Sequence, residues 1–273
     1  MKSRSSDGKA ANILSPLRLA YGAESLQFGE LYVPKGSGPH PVVILIHGGF
    51  WRAAHRLTLM QGLASDLVEK GIAAWNIEYR CVGDAGGGWP GTLQDVAHAA
   101  DYLATLAPTY ALDLTRVVPV GHSAGGQLAL WLAARSRLPK KSKLTVCDTP
   151  LPLAGAISLA GACDLKLVWH LNLGHGAATE FLGGSPTNVP ERYFTASPAA
   201  LLPLGIPQVL IHGNRDDLVP LSVSQDYVQK ATLARDHVTL IVLPEADHFA
   251  LIDPTSAAWG ITIAEIQKLQ NRI

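Results

Sequence analysis

At 273 residues, with 48% of them apolar, the chain can bury a large core, and its length suits one large α/β domain better than two small ones. Its 22 basic and 22 acidic residues cancel. Apart from Lys140-Lys141-Ser142-Lys143, read as a solvated loop, no charge cluster points to a nucleic acid or an anionic membrane as partner. Three widely spaced cysteines, Cys81, Cys147 and Cys163, argue against a disulfide framework and for a reducing, cytoplasmic setting, and none has metal-ligand spacing.

The polar start of the chain has no apolar core behind it, so it reads as neither signal peptide nor anchor, and residues 1–16 are expected to be a flexible segment. No apolar stretch approaches the length needed to span a bilayer. Residues 17–273 are expected to form one domain. Leu17 to Tyr21 and Ser25 to Val33 read as a hairpin around Gly22-Ala23, covering one edge of a sheet. The consecutive apolar run Val42 to Ile46 is how a parallel strand buried on both faces reads, and it leads into His47-Gly48-Gly49-Phe50-Trp51.

A helical stripe through Leu59, Leu63 and Leu67 ends at Lys70-Gly71, and Ile72 to Tyr79 follows as a strand. Cys81 to Gly91 is too glycine-rich for regular structure, and without a G-x-x-x-x-G-K pattern it reads as a loop rather than a phosphate cradle. Thr92 to Leu106 is helical again. Next come a short apolar strand, Val117 to Val120, the small-residue turn Gly121-His122-Ser123-Ala124-Gly125-Gly126, and an Ala/Leu-rich helix. Pro119 removes a ladder donor from that strand, so either a local irregularity or a partner carbonyl left to other groups is expected there.

Ala154 to Leu159 is a strand. The weakly periodic stretch 161–203 reads as an insertion roofing a pocket, a cap or lid. Strands at Gln208 to Ile211 and Val238 to Leu243 alternate with helices at Val223 to Leu233 and Ala257 to Leu269. Strand-then-helix order with short connections implies a mostly parallel sheet with helices on both faces and an antiparallel hairpin at its start.

The turn at Ser123 matches G-x-S-x-G in its required context, a strand before and a helix after. A serine needs a positioned base, and the base needs a partner that holds its tautomer. The two late strands end in His212-Gly213-Asn214-Arg215-Asp216-Asp217 and in Glu245-Ala246-Asp247-His248-Phe249, so a carboxylate and a histidine would stand on the rim that carries Ser123. Asp216 and Asp217 compete for the acid. Asp216 is preferred, because its neighbour is free to face solvent and cap the next helix. Backbone N–H groups of Gly49, Phe50 and Ala124 are the candidate donors to a developing oxyanion.

Together Gly121-His122-Ser123-Ala124-Gly125-Gly126, His47-Gly48-Gly49-Phe50-Trp51, His212-Gly213-x-x-Asp216 and His248 resemble the α/β-hydrolase superfamily on its esterase and lipase side, over the chain from about Leu31 onward. H-G-G-x-W, with Trp51, is similar to the kynurenine formamidase-like branch; lipases carry a third glycine where Phe50 stands. The resemblance implies an α/β-hydrolase fold and a serine hydrolase with the triad Ser123, Asp216 and His248, without metal or organic cofactor. Its partner would be a small-molecule ester or amide, and the protein a monomer or homodimer. Phe50, Trp51, Trp89, Trp169 and Phe249 are the expected aromatic pocket walls. Three functions follow: a carboxylesterase acting on small-acyl or aryl esters, an arylformamidase, and a non-catalytic relative that binds a hydrophobic ligand. The intact set of three side chains argues against the last.

Overall fold

The computed structural model describes residues 15–272. The expected flexible segment, residues 1–16, falls outside it except for its last two positions. Eight strands form one sheet: β1 (Leu17–Ala20), β2 (Phe28–Tyr32), β3 (His40–Ile46), β4 (Ala73–Ile77), β5 (Leu112–His122), β6 (Ala156–Leu159), β7 (Gln208–Gly213) and β8 (Val238–Leu243). Their order is β1-β2-β4-β3-β5-β6-β7-β8. β1 pairs with β2, and β2 with β4, antiparallel; every other pairing is parallel. β1 is thus the edge that the hairpin was expected to cover.

The helices are α1 (Gln61–Glu69), α2 (Gly91–Asp101), α3 (Leu103–Tyr110), α4 (Ala124–Ala134), α5 (Leu165–His170), α6 (Ala177–Leu182), α7 (Pro190–Ala196), α8 (Leu221–Leu233) and α9 (Ala257–Gln270). They cover both faces of the sheet, as the period-two alternation of β3 makes plain. Val42, Ile44 and Ile46 join one apolar cluster with α2, α4 and α8, whereas Val43 and Leu45 join a second with α1 and α9. All five are fully buried. Every residue of α4 is buried too, because this helix packs between the sheet and the segment that follows β6.

Two local expectations change. The stretch expected to form one helix from Thr92 is broken at Tyr102 and runs past Pro108 to Tyr110, ending at Ala111 in the left-handed region. The strand before the elbow begins at Leu112, well before Val117. Its irregularity does not fall at Pro119, which pairs in register with Ile44. The register instead shifts where Pro41 faces Asp113 and Val42 faces Val117. Gln270 at the end of α9 closes that bulge, donating through Nε2 to the carbonyls of Val42 (3.2 Å) and Arg116 (3.1 Å). Pro119 lies one residue before the β5–β6 ladder opens at Val120 and Ile157, which spares it a ladder partner on that side.

All three cysteines are free thiols, Cys81 and Cys163 buried and Cys147 half-buried. Burial pushes the Cys163 thiol up to about 12 and raises the Cys81 thiol well above its ordinary range. Burial also raises Cys147, and the neighbouring Asp101 carboxylate adds to it. In the native protein at pH 8, a thiol-disulfide reagent should modify Cys147 alone, and slowly, with the other two reacting only after denaturation. Rapid modification of more than one native thiol would contradict this packing.

Candidate active site

The parallel order sets the carboxyl ends of β5, β7 and β8 on one edge, and the connections leaving those ends carry Ser123, Asp216 and His248. At the first of these, β5 turns into α4 within a single residue. Ser123 has φ 57° and ψ −119°, a conformation that side chains rarely adopt and that costs about 1–3 kcal/mol. The turn closes only because its flanks lack side chains. A Cβ on Gly121 would sit 1.9 Å from the Gly125 carbonyl oxygen, and one on Gly125 would sit 2.1 Å from that of Ile46. The Ser123 N–H is held by the Leu159 carbonyl of β6 at 2.8 Å.

His248 Nδ1 donates to Asp216 Oδ2 at 2.6 Å, with both side chains nearly removed from solvent. Asp216 Oδ1 accepts from the N–H groups of Leu218 (2.9 Å) and Val219 (2.8 Å). Burial alone would raise the Asp216 carboxyl. Hydrogen bonds from His212, His248 and the Val219 N–H outweigh it and hold the group well below the usual carboxylate range. Asp216 is therefore the charged partner that keeps the His248 proton on Nδ1 and leaves Nε2 bare. Asp217 is exposed and caps nothing, since α8 starts after Pro220 without a side-chain cap.

His212, which the sequence motif contains but to which the sequence reading gives no role, is fully buried behind this pair. Its Nε2 lies 2.8 Å from the Val219 carbonyl and 3.4 Å from Asp216 Oδ2, and its Nδ1 lies 2.8 Å from Ser224 Oγ. The ring ties the Asp216 loop to α8.

Opposite the elbow, Gly49, Phe50 and Trp51 follow one another at φ 115°, 51° and 58°. His47 braces this turn from below. It bonds to the Gly48 carbonyl through Nδ1 (2.8 Å) and to Glu78 Oε1 through Nε2 (3.0 Å), and it stacks on Tyr79 at 4.2 Å. Among the described residues, the backbone N–H groups of Gly49, Phe50 and Ala124 have no protein acceptor. Ala124 opens α4, where free N–H groups and the helix dipole favour negative charge.

Ser123, His248, Gly49 and Phe50 share a cavity of about 250 Å³ with His55, Leu59, His122, Leu218 and Phe249. The Ser123 hydroxyl and His248 Nε2 have no hydrogen-bond partner among the described residues, and His248 is held through Nδ1 and its backbone carbonyl. Of the expected aromatic walls, Phe50 and Phe249 line this cavity, and the three tryptophans do not.

Trp51 is fully buried. It stacks on Phe181 at 4.6 Å, and its Nε1 donates to Gln127 Oε1 at 2.9 Å, so it anchors the loop and does not face a ligand. Trp89 lies under the Arg192 guanidinium at 4.5 Å, beside a separate surface groove of about 450 Å³. Trp169 is exposed on α5. His55 and Leu218 were missed because loop side chains get their direction from tertiary packing, which no periodicity encodes.

Among the described residues, His47, Glu78 and Cys81 bring possible ligand atoms within 4.8 Å of one another. Each is already engaged. Glu78 accepts from His47 and from the N–H groups of Leu57 and Tyr79, and Cys81 donates to the Tyr79 carbonyl. The donor set reads as a brace for the loop above it.

Because Asp216 meets the imidazole and Asp217 does not, Asp216→Asn should lower turnover of an activated ester by about 10³–10⁴-fold. Asp217→Asn should change it by less than about threefold, on the scale of a surface substitution. Steady-state kinetics on the two variants checks the pair, and the reverse order would overturn the assignment.

Comparison with known proteins identifies the chain's family and fold. The sequence profile of the BD-FAE family matches residues 30–231, well over half of the chain. Esterase LipC from Mycobacterium tuberculosis is 25% identical over 92% of the chain, which spans 65% of that relative's length, somewhat less than two thirds. Kynurenine formamidase avaC from Aspergillus versicolor is 29% identical over 71% of the chain and 76% of its own length. A truncated carbohydrate esterase from gut microbiota superposes with a TM-score of 0.79 at 19% identity, covering 93% of this chain and 95% of that one. The fold is that of the α/β-hydrolases, and the chain belongs to the BD-FAE family.

Proposed function

We propose that the protein is a serine hydrolase that cleaves carboxylic esters of small-acyl or aryl substrates through an acyl-enzyme. The observation that carries the reading is the 2.6 Å bond between His248 and a buried, ionised Asp216, in a pocket that also holds Ser123 at its strained turn. His248 Nε2 takes the hydroxyl proton as Ser123 Oγ attacks the carbonyl carbon, and Asp216 stabilises the imidazolium that forms. The carbonyl oxygen, now negative, accepts hydrogen bonds from Ala124 N–H and from the Gly49 and Phe50 loop. The leaving alcohol departs with the proton from His248, and water then repeats the attack on the acyl-enzyme.

The cavity is small. Its 250 Å³ falls below the roughly 300–1,000 Å³ of most small-molecule pockets, which favours a short acyl chain over a long one. Phe50, Leu59, Leu218 and Phe249 make its walls apolar, which suits an acyl or aryl group. We extend the proposal to residues 161–203 as a cap on a single domain spanning 17–273. Phe181 packs on Trp51, a Cβ on Gly174 would meet the Phe50 ring, and Arg52 pairs with Glu180 across the same seam.

Formamide hydrolysis is the second reading, favoured by the similarity to avaC. Trp51, whose presence suggested it, makes no wall of the cavity. An amide also asks more of His248, which must protonate an amine as it leaves.

Turnover of p-nitrophenyl acetate, butyrate and octanoate beside N-formylkynurenine tests both readings. Acetate and butyrate should be cleaved with kcat/KM well above that for octanoate, and Ser123→Ala should lose at least about a thousandfold in kcat while staying folded. A preference for the formamide would promote the second reading. No turnover of any substrate by the wild type would defeat both.

A further inference from the structure

His122 occupies the variable position of the elbow, between Gly121 and Ser123, and is 2% exposed. Its Nε2 lies 2.9 Å from the backbone carbonyl of His248, 126 residues away. A carbonyl only accepts, so Nε2 carries the proton and Nδ1 is left as a bare lone pair. That lone pair is one of three buried side-chain polar atoms without a partner among the described residues. Burial, reinforced by the neighbouring His248, pushes the ring down to about 3, so it stays neutral and keeps this single tautomer across the working range.

A buried acceptor with no donor destabilises the fold, and an apolar ring of the same shape would avoid that penalty. What the imidazole adds in return is its one N–H, aimed at the residue read above as the general base. His248 is thereby held twice, its side chain by Asp216 through Nδ1 and its main chain by His122. The two imidazoles also pack at 4.5 Å between ring centres. On the other side of the ring, a Cβ on Gly48 would lie 3.1 Å from His122 Nδ1, so the backbone of the oxyanion loop presses against the same side chain. His122 thus touches all three parts of the site.

Resting on the serine-hydrolase reading, we propose that His122 is a positioning residue. It acts through His248, tying the loop after β8 to the elbow so that the bare Nε2 stays in register with the Ser123 hydroxyl. It takes no proton during turnover.

Glutamine and asparagine separate this role from simple packing, because a glutamine amide reaches the place of Nε2 and an asparagine amide only that of Nδ1. With p-nitrophenyl acetate as substrate, His122→Phe and His122→Asn should lose kcat by about 10- to 100-fold, the scale of an ångström-level misplacement. KM should stay within about twofold, and His122→Gln should recover most of the loss. Amide exchange over residues 244–249, read on the same variants, should quicken in His122→Asn and not in His122→Gln.

The proposal is overturned if His122→Phe turns over like the wild type, if His122→Asn and His122→Gln behave alike, or if the loss appears in KM alone. Should His122→Phe fail to fold, the Asn and Gln pair still decides. A wild type that hydrolyses no ester defeats the serine-hydrolase reading instead, and the exchange data then judge the loop anchor alone.

Discussion

The charge buried at Asp216 is the constraint around which this edge of the sheet is built. A carboxylate removed from water is unfavourable unless donors surround it, and here they come from three directions: two backbone N–H groups of its own turn, the His248 ring, and the His212 ring behind. Their net effect keeps the group ionised against the pull of burial. Lose the charge and the reason for the His248 tautomer goes with it. Asp216 is also the one member of the group that needs no solvent path, which fits its place beneath the cavity.

Topology brings these parts together. A parallel sheet sends every strand's carboxyl end to one edge, so loops leaving β3, β5, β7 and β8 meet there although they are up to 200 residues apart in sequence. The strands cannot slide relative to each other, because the side chains of β3 alternate between two separate apolar clusters and a one-residue slip would exchange them. Gln270 pins the only register shift between β3 and β5 from the far end of the chain. The reach of the site therefore depends on packing a long way from it.

Much of this was legible in the residues. Consecutive buried apolar positions announced β3, small residues flanking Ser123 announced the tight turn, and acid and histidine after successive strands announced which loops would meet. Identities at fixed offsets from strand ends carry such information, because backbone geometry alone sets where those positions go. The pocket walls were not legible in the same way. Trp51 sits two residues from Gly49, yet a large aromatic gains most by full burial, and its ring turned inward onto Phe181. His122 lay in plain view inside the elbow, but as its variable letter it offered no pattern to read. Only the distance to a carbonyl 126 residues away gives it a role.

Several costly features stand at this edge, alongside others elsewhere in the fold such as the left-handed Ala111 and Arg235 and the unpaired Asn76 Oδ1. Phe50, Trp51 and Ser123 take positive φ without being glycine, His122 keeps an unpaired lone pair, and Asp216 holds a buried charge. The strained residues alone amount to several kcal/mol, at about 1–3 kcal/mol each. Such a set persists only where the surroundings over-determine it, and here two fully packed clusters on opposite faces of the sheet do so. If the proposed hydrolase chemistry takes place here, a site assembled this way is held in its geometry before a substrate arrives, and little reorganisation is left for the reaction itself. On the serine-hydrolase reading, relaxing a strained backbone position or replacing the His122 ring by an apolar one should raise stability and lower activity together, the trade expected where strain serves the chemistry.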